Sequence, residues 1–257
     1  MNITLLCENE ACAMHWLAEW GFSAFIEYNG NKILFDTGFS DVYRHNADLA
    51  GIDLEETDFL ALSHFHRDHT RGLLYHGFKS KKKIVLHPRI MQAVLKTDDE
   101  RIKQDFAKIH AVLANDFEVI PSRNVLEFAP GAFFLGEIPR GNNFEPGGFE
   151  GDAMEDDTAL AFRTDKGAVV VSGCSHAGIC NICEYAKEIT RQPLYAVIGG
   201  FHLLSEENPP ITETIDYFKT ENPPVLLPMH CVDFPALVAF HNAFGSKKLS
   251  AGDAIEL

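Results

Sequence analysis

The reading of this chain turns on Phe59-Leu60-Ala61-Leu62-Ser63-His64-Phe65-His66-Arg67-Asp68-His69. The apolar run Phe59 to Leu62 predicts a short buried strand. Past its end stand four residues able to ligate a metal, His64, His66, Asp68 and His69, within six positions. His64 and His66 are spaced by two, so on extended backbone their imidazoles project to the same side. Asp68 and His69 follow at a turn and can serve a second position a few ångströms away. Neutral imidazole and carboxylate suit zinc, iron or manganese. A solvated histidine-rich loop is the plain alternative. Four such residues directly after an apolar strand argue instead for a metal centre.

Three more histidines occupy the same kind of place. His176 follows the apolar run that ends at Val171. His202 follows Leu194 to Ile198 and Gly199-Gly200, and His230 follows Val225 to Leu227 with Pro228-Met229 between. A satisfied core histidine explains any one of them about as well. Three strands that each lead into a histidine are not expected from packing alone, so these positions are candidates for the remaining ligands. His87, before Pro88, is a candidate for lining the same pocket or for simple packing. Asp36 lies in Ile33-Leu34-Phe35-Asp36-Thr37-Gly38. Asp-Thr-Gly after an apolar strand also marks aspartic proteases, but those need two such aspartates sharing a proton, and this chain has one.

The elements around these residues fall into two similar halves. Phe22 to Tyr28 and Lys32 to Phe35 flank Asn29-Gly30-Asn31, a hairpin signal. A helix is predicted from Asp41 to Ala50 with Gly51 as its stop, and a strand from Lys83 to Leu86. In the second half Ala159 to Thr164 and Ala168 to Val171 flank Asp165-Lys166-Gly167, a second hairpin. Helices are predicted over 180–190, 212–220 and 234–244, with strands over 194–198 and 225–227. Two hairpin-led halves followed by alternating helices and strands suggest an α+β protein with two sheets face to face and helices outside. Residues 139–157 carry four glycines, two prolines and six acids. They read as a mobile lid loop within a single domain spanning 1–257.

Composition narrows the partners. The chain has 257 residues, 46% of them hydrophobic, and a formal net charge of −15. It is too apolar for a disordered chain and long enough to bury a core without disulfides. The pI is about 5.2, and Lys79 to Lys83, broken by Ser80, is the one basic run. That argues against nucleic acid. No apolar run approaches the ~20 residues of a membrane helix, and residues 1–6 lack the basic start of a secretory signal. The six cysteines then read as reduced thiols in a cytoplasmic protein. Cys180-Asn181-Ile182-Cys183 lacks a second pair for a structural zinc, so buried thiols are favoured over a redox role. Ala177-Gly178 opens a helix whose N–H groups are free to hold a phosphate or carboxylate.

The cluster His64-x-His66-x-Asp68-His69 resembles the hallmark of the metallo-β-lactamase superfamily. The resemblance implies a four-layer αββα sandwich and two metal ions, with zinc first and iron, manganese or nickel as alternatives. It assigns His64 and His66 to the first ion and Asp68 and His69 to the second, where His230 is the last ligand. The family usually has a bridging Asp or Cys in a Gly-Asp pair after the strand before His176. Here the pair is Gly173-Cys174, so either Cys174 or His176 is implied, with His176 preferred. His202 is a ligand or a substrate contact. Asp36 matches a family aspartate that orients a ligand. Glu19 to Glu27, Ile33 to Gly38, Ser172 to Ile179, Ala196 to Leu203 and Pro228 to Cys231 resemble one subgroup. That subgroup includes the archaeal 7,8-dihydropterin-6-methyl-4-(β-D-ribofuranosyl)-aminobenzene-5'-phosphate synthase. It usually has Gly between the first histidines, Tyr before the aspartate, and Thr-Gly-Gly after the motif. Phe65, Arg67 and Thr70-Arg71-Gly72 stand there in this chain.

The chemistry implied is hydrolysis of a small anionic or phosphorylated substrate by metal-activated water, with Asp68 as the catalytic carboxylate. A transferase is the first alternative, with metals gripping a diphosphate leaving group. A metal-dependent ligand sensor without turnover is the second, suggested by Arg67 and Arg71.

Overall fold

The computed structural model describes residues 1–92, 97–145, 147–204 and 209–257. In chain order its strands are β1 (Asn2–Cys7), β2 (Ser23–Tyr28), β3 (Asn31–Phe35), β4 (Phe59–Ala61), β5 (Lys82–Leu86), β6 (Phe117–Pro121), β7 (Leu126–Ala129), β8 (Ala132–Phe134), β9 (Ala159–Thr164), β10 (Gly167–Ser172), β11 (Leu194–Gly200), β12 (Val225–Met229) and β13 (Ala254–Glu256). The helices are α1 (Val42–Ala50), the single turn α2 (Arg67–Thr70), α3 (Glu100–Asp116), α4 (Ile179–Thr190), α5 (Ile211–Glu221) and α6 (Phe234–Phe244).

The chain divides into two compact units. Residues 1–123 and 250–257 form the first, and 124–249 the second. The first unit is built on a seven-stranded sheet in the order β13-β1-β2-β3-β4-β5-β6. Both predicted hairpins are present. In β2–β3, Asn29 (φ 48°) and Gly30 (φ 78°) take the two left-handed positions of a type I′ turn. That turn sets the register Tyr28 opposite Asn31 and Glu27 opposite Lys32. From β3 onward the pairing is parallel through β4, β5 and β6. The inner strands are closed on both faces: Ile33, Leu34, Phe35, Ile84, Val85 and Leu86 are fully buried. Near-continuous apolar runs are what such strands require.

The second unit carries a six-stranded sheet in the order β12-β11-β10-β9-β8-β7. Its hairpin β9–β10 opens the unit's parallel half, β10-β11-β12. Helix α4 presents Ile179, Ile182, Cys183 and Ala186 to the core, where Val170, Val197, Phe201, Phe218 and Phe240 meet them. Phe201 stacks on Phe218 at 5.8 Å and meets Phe240 edge-on at 5.7 Å, geometries favoured by the ring quadrupole.

The α+β class is as expected from the sequence, and so is the placement of the strands that precede the histidines. Helix α3 has no counterpart in the sequence reading. It buries Phe106, Ile109 and Leu113 along one stripe, and the Asp99 side chain caps it by accepting from Arg101 N at 2.8 Å. Among the described residues no helix is long and apolar enough to cross a membrane.

Candidate metal centre

Parallel strands end on the same edge of their sheet, which is where α/β proteins place ligands. In the first unit the neighbouring strands β3, β4 and β5 end in Asp36, in Ser63-His64, and in His87. Asp36 organises the other two residues beside it. Its Oδ1 accepts the Ser63 amide at 2.8 Å and its Oδ2 accepts the Ser63 hydroxyl at 2.7 Å. The same Oδ2 lies 2.7 Å from His69 Nδ1, and both side chains are 0% exposed. A carboxylate has no proton to give, so His69 Nδ1 carries the hydrogen. The Ser63 hydroxyl has spent its one proton on Asp36, so at 2.8 Å from His64 Nδ1 it accepts. Both imidazoles are thereby fixed as Nδ1–H tautomers that carry the lone pair on Nε2, the tautomer a metal ligand needs.

The remaining members of the motif cluster there. The His64 ring lies 4.7 Å from that of His66 and 4.2 Å from that of His69. His64 and His66 each offer a ring nitrogen within 4.8 Å of the other's. Asp68 Oδ2 is 3.6 Å from His69 Nε2, and its side chain is 20% exposed. Asp36 itself sits at φ 56°. A non-glycine residue in that region is held there by its surroundings, and such residues concentrate at functional sites. His87 is buried at the end of β5, where its Nδ1 accepts from Arg89 N at 3.2 Å.

In the second unit the neighbouring strands β10, β11 and β12 lead into Cys174-Ser175-His176, into Phe201-His202, and into His230-Cys231. Ser175, His202 and His230 all lie at positive φ, 64°, 50° and 56°. The loops interlock through hydrogen bonds. The hydroxyls of Ser172 and Ser175 both donate to Gly200 O, at 2.9 and 2.6 Å. Cys231 Sγ accepts from His202 N at 3.2 Å and donates to Cys174 O at 3.1 Å. Gly200 is required by this crowding, since a Cβ there would stand 2.2 Å from Gly173 O and 2.7 Å from Cys231 Sγ.

The second unit's donors also converge. Cys174, His202 and Cys231 offer ligand atoms within 4.8 Å of one another. Burial works against the Cys231 thiolate, but side-chain interactions with Cys174 and His202, together with the His230 and His202 charges, outweigh it and hold the thiol well below its usual range. The rings of His176 and His202 are 4.2 Å apart. Phe149 packs on both, at 5.4 and 6.0 Å. A cavity of about 770 Å³ opens beside them, lined in part by Phe144, Ser175, His176, His202 and Glu213. Burial raises the Asp157 carboxyl to about 7, partly offset by the hydrogen bond from Ala177 N.

The family model of the metallo-β-lactamase superfamily matches residues 21–187. The chain belongs to that superfamily. It is 33% identical to the 7,8-dihydropterin-6-methyl-4-(β-D-ribofuranosyl)-aminobenzene-5'-phosphate synthase of Methanocaldococcus jannaschii, over 93% of this chain and 90% of that one. It is 32% identical to an uncharacterised protein of the same organism, over 91% and 92% of the two chains. A solved structure described as a metal-dependent hydrolase of the β-lactamase superfamily is 30% identical. It superposes with a TM-score of 0.80, covering 100% of this chain and 99% of that one. The αββα sandwich expected from the motif is the fold of this superfamily.

The metallo-β-lactamase motif residues His64, His66, Asp68 and His69 lie together with Asp36 in the first unit. Cys174, His176, His202 and His230 lie at the strand ends of the second. Cys231 escaped the sequence reading. Its only signal is its place beside His230 in the Pro228-to-Cys231 stretch that carries the subgroup resemblance.

One sequence expectation is corrected. The N-terminus of α4 is not open to a substrate anion. Glu145 fills it, accepting from Cys180 N at 2.9 Å and Asn181 N at 3.0 Å, while Asp157 takes the Ala177 amide at 2.8 Å. A carboxylate from the chain itself satisfies the amides that the sequence left free. Cys180 and Cys183 are buried in the core cluster. Burial, with Glu145 adding to it, pushes both thiols up, away from reactivity. Of the predicted loop 139–157, Pro146 lies outside the described residues. The segment is tied to α4 and to the His176 loop, through Asn181 Oδ1 accepting Gly141 N at 2.9 Å and His176 O accepting Gly148 N at 2.9 Å.

Proposed function

We propose that the protein is a metal-dependent hydrolase acting on a small anionic or phosphorylated substrate. The observation that carries this is the Asp36–Ser63–His64–His69 network, which fixes two motif imidazoles as ligating tautomers. The donor chemistry fits a divalent ion, since imidazole nitrogen with carboxylate oxygen suits zinc, iron, manganese or nickel. His64 and His66 would hold one ion, Asp68 and His69 a second, with His176 and His230 completing the set. His202 or Cys174 is a further ligand or a substrate contact. The ions supply Lewis acidity and lower the pKa of water at the centre. Asp36 and Ser63 keep the rings oriented, and Asp68, partly open to solvent, orients the attacking water as hydrogen-bond acceptor. The segment 139–157 covers the substrate, and the protein works in the cytoplasm.

The likeness to a solved metal-dependent hydrolase supports this reading. The 33% identity to a synthase favours a second, group transfer with the ions on a diphosphate leaving group. Elemental analysis of reconstituted protein tests the first step. Under about one equivalent of metal per chain would sink both readings, while His66→Ala is expected to lose metal and activity together. A phosphodiester panel run beside a pterin diphosphate with an aryl amine separates hydrolysis from transfer.

A further inference from the structure

Arg67 lies within the metal motif and Arg71 two residues past it, and the metal-ligand roles do not account for them. Both reach the same carboxylate on helix α3. Arg67 Nη1 donates to Asp105 Oδ2 at 2.8 Å and Arg71 Nε to the same oxygen at 2.9 Å. Both guanidinium groups also lie over the Phe39 ring, at 5.4 and 4.7 Å from its centroid. Arg71 further donates from Nη1 to Phe39 O at 3.0 Å and to Tyr75 Oη at 3.3 Å.

The arrangement leaves charge and donors to spare. Two guanidinium groups share one carboxylate, so the cluster keeps a net positive charge in a chain whose total is −15. The Glu19 carboxylate is directed to the amides of Phe39 and Ser40, at 2.8 and 2.9 Å, and to the Ser40 hydroxyl at 2.6 Å, and makes no ion pair with either arginine among the described residues. Most of the Arg67 donors, and Nη2 of Arg71, make no hydrogen bond to a described residue. Their side chains are 24% and 21% exposed, so the spare edges reach solvent while the faces are held on Phe39. A planar fork fixed by stacking and by one ion pair is preorganised for a tetrahedral oxyanion. Arg67 is also the residue between His66 and Asp68.

We propose that Arg67 and Arg71 form an anion-binding subsite that takes the phosphate group of the substrate beside the metal ligands. The subsite rests on the reading under Proposed function for its role in turnover, but its affinity for phosphate is a property of the arginines themselves. Asp105 is then a positioning residue that holds the pair and tempers its charge.

Inorganic phosphate titrated by calorimetry into metal-loaded and metal-stripped protein tests this, with metal content measured on the same samples. Arg67→Gln, which leaves the Arg71–Asp105 pair intact, is expected to weaken phosphate binding about tenfold in both states. Asp105→Asn is expected to tighten it several-fold, because an amide still orients the arginines without opposing the anion. Lys108→Gln, on the same helix and exposed, controls for loss of one positive charge and is expected to change binding less than about twofold. A purely structural triad predicts that both cluster variants alter stability and neither alters phosphate affinity in these directions, and that result overturns the proposal. Wild-type protein that carries metal yet binds no phosphate also overturns it. Protein that takes up no metal defeats the reading under Proposed function instead, and the stripped-state titration still decides the arginine subsite.

Discussion

Asp36 does more than any other single residue in the first unit's donor cluster. One carboxylate fixes a ring at Nδ1, a hydroxyl and an amide, all in a buried setting. Asp36→Asn is nearly isosteric, yet an amide oriented to accept from Ser63 N turns its NH₂ toward His69. Two donors then face each other unless His69 changes tautomer and moves its lone pair away from the metal side. Metal affinity is expected to fall roughly ten- to a hundredfold, read by competition with a chromogenic chelator. Unchanged affinity would mean that the His69 tautomer is not controlled by this contact. The sequence showed Asp36 after a strand and suggested that it orients a ligand. It did not show which ligand, because 33 residues separate Asp36 from His69 and no local periodicity joins them. Cys231 was harder still. A cysteine after a histidine carries no directional information until β11 and β12 set His202 N against its sulfur.

The elements were legible where hydrophobic pattern and turn chemistry agreed. Asn29-Gly30 between apolar strands specified both the hairpin and its register. Helix α3 was not read because charged Glu100, Arg101, Lys103, Asp105 and Lys108 dilute its stripe. Ile102, Phe106, Ile109 and Leu113, together with the Asp99 cap, are the signal that was there. Helix α3 also fixes a pH dependence. Burial alone would raise the Asp105 carboxyl, but hydrogen bonds from Arg67 and Arg71 outweigh it and lower the pKa. A carboxylate with a depressed native pKa contributes stability above the ordinary carboxylate range and loses it as pH falls through the native value. Urea midpoints measured between neutral pH and about pH 3 are therefore expected to fall less steeply for Asp105→Asn than for wild type. Parallel slopes would remove Asp105 from the acid response. The start of α4 makes a second test at this scale. Glu145→Ala strands the amides of Cys180 and Asn181 in a buried position, at an expected cost of about 1–2 kcal/mol in urea unfolding. Glu145→Gln keeps an acceptor and is expected to recover part of that loss. Equal stability of all three proteins would mean that water serves the helix start as well as Glu145 does.

At the scale of the whole molecule, seven of the twelve histidines (64, 66, 69, 87, 176, 202 and 230) follow strand ends, while the acidic residues outnumber the basic by 37 to 22. Such a chain concentrates neutral donors at strand ends and spreads negative charge elsewhere, which favours bound cations. In the proposed role metal is part of the folded state, because no preformed site exists in the unfolded chain. A ligand at about a thousandfold excess over its dissociation constant adds about 4 kcal/mol to unfolding. For a chain of this size that is a shift in melting temperature on the order of 10 °C between metal-loaded and chelated protein. The shift has a required sign with pH. Ligation needs unprotonated imidazole, so several protons compete with each ion as pH falls through the ordinary imidazole range near about 6.5. The gap between loaded and chelated melting temperatures is therefore expected to close on acidification, and to close more steeply than one proton per ion would allow. Differential scanning calorimetry across that range, with metal content followed in parallel, measures both effects. Coincident melting curves at neutral pH, with metal demonstrably bound, would show that the ions sit on a surface that does not depend on the fold. They would be inconsistent with ligation by histidines that the strand ends hold in place.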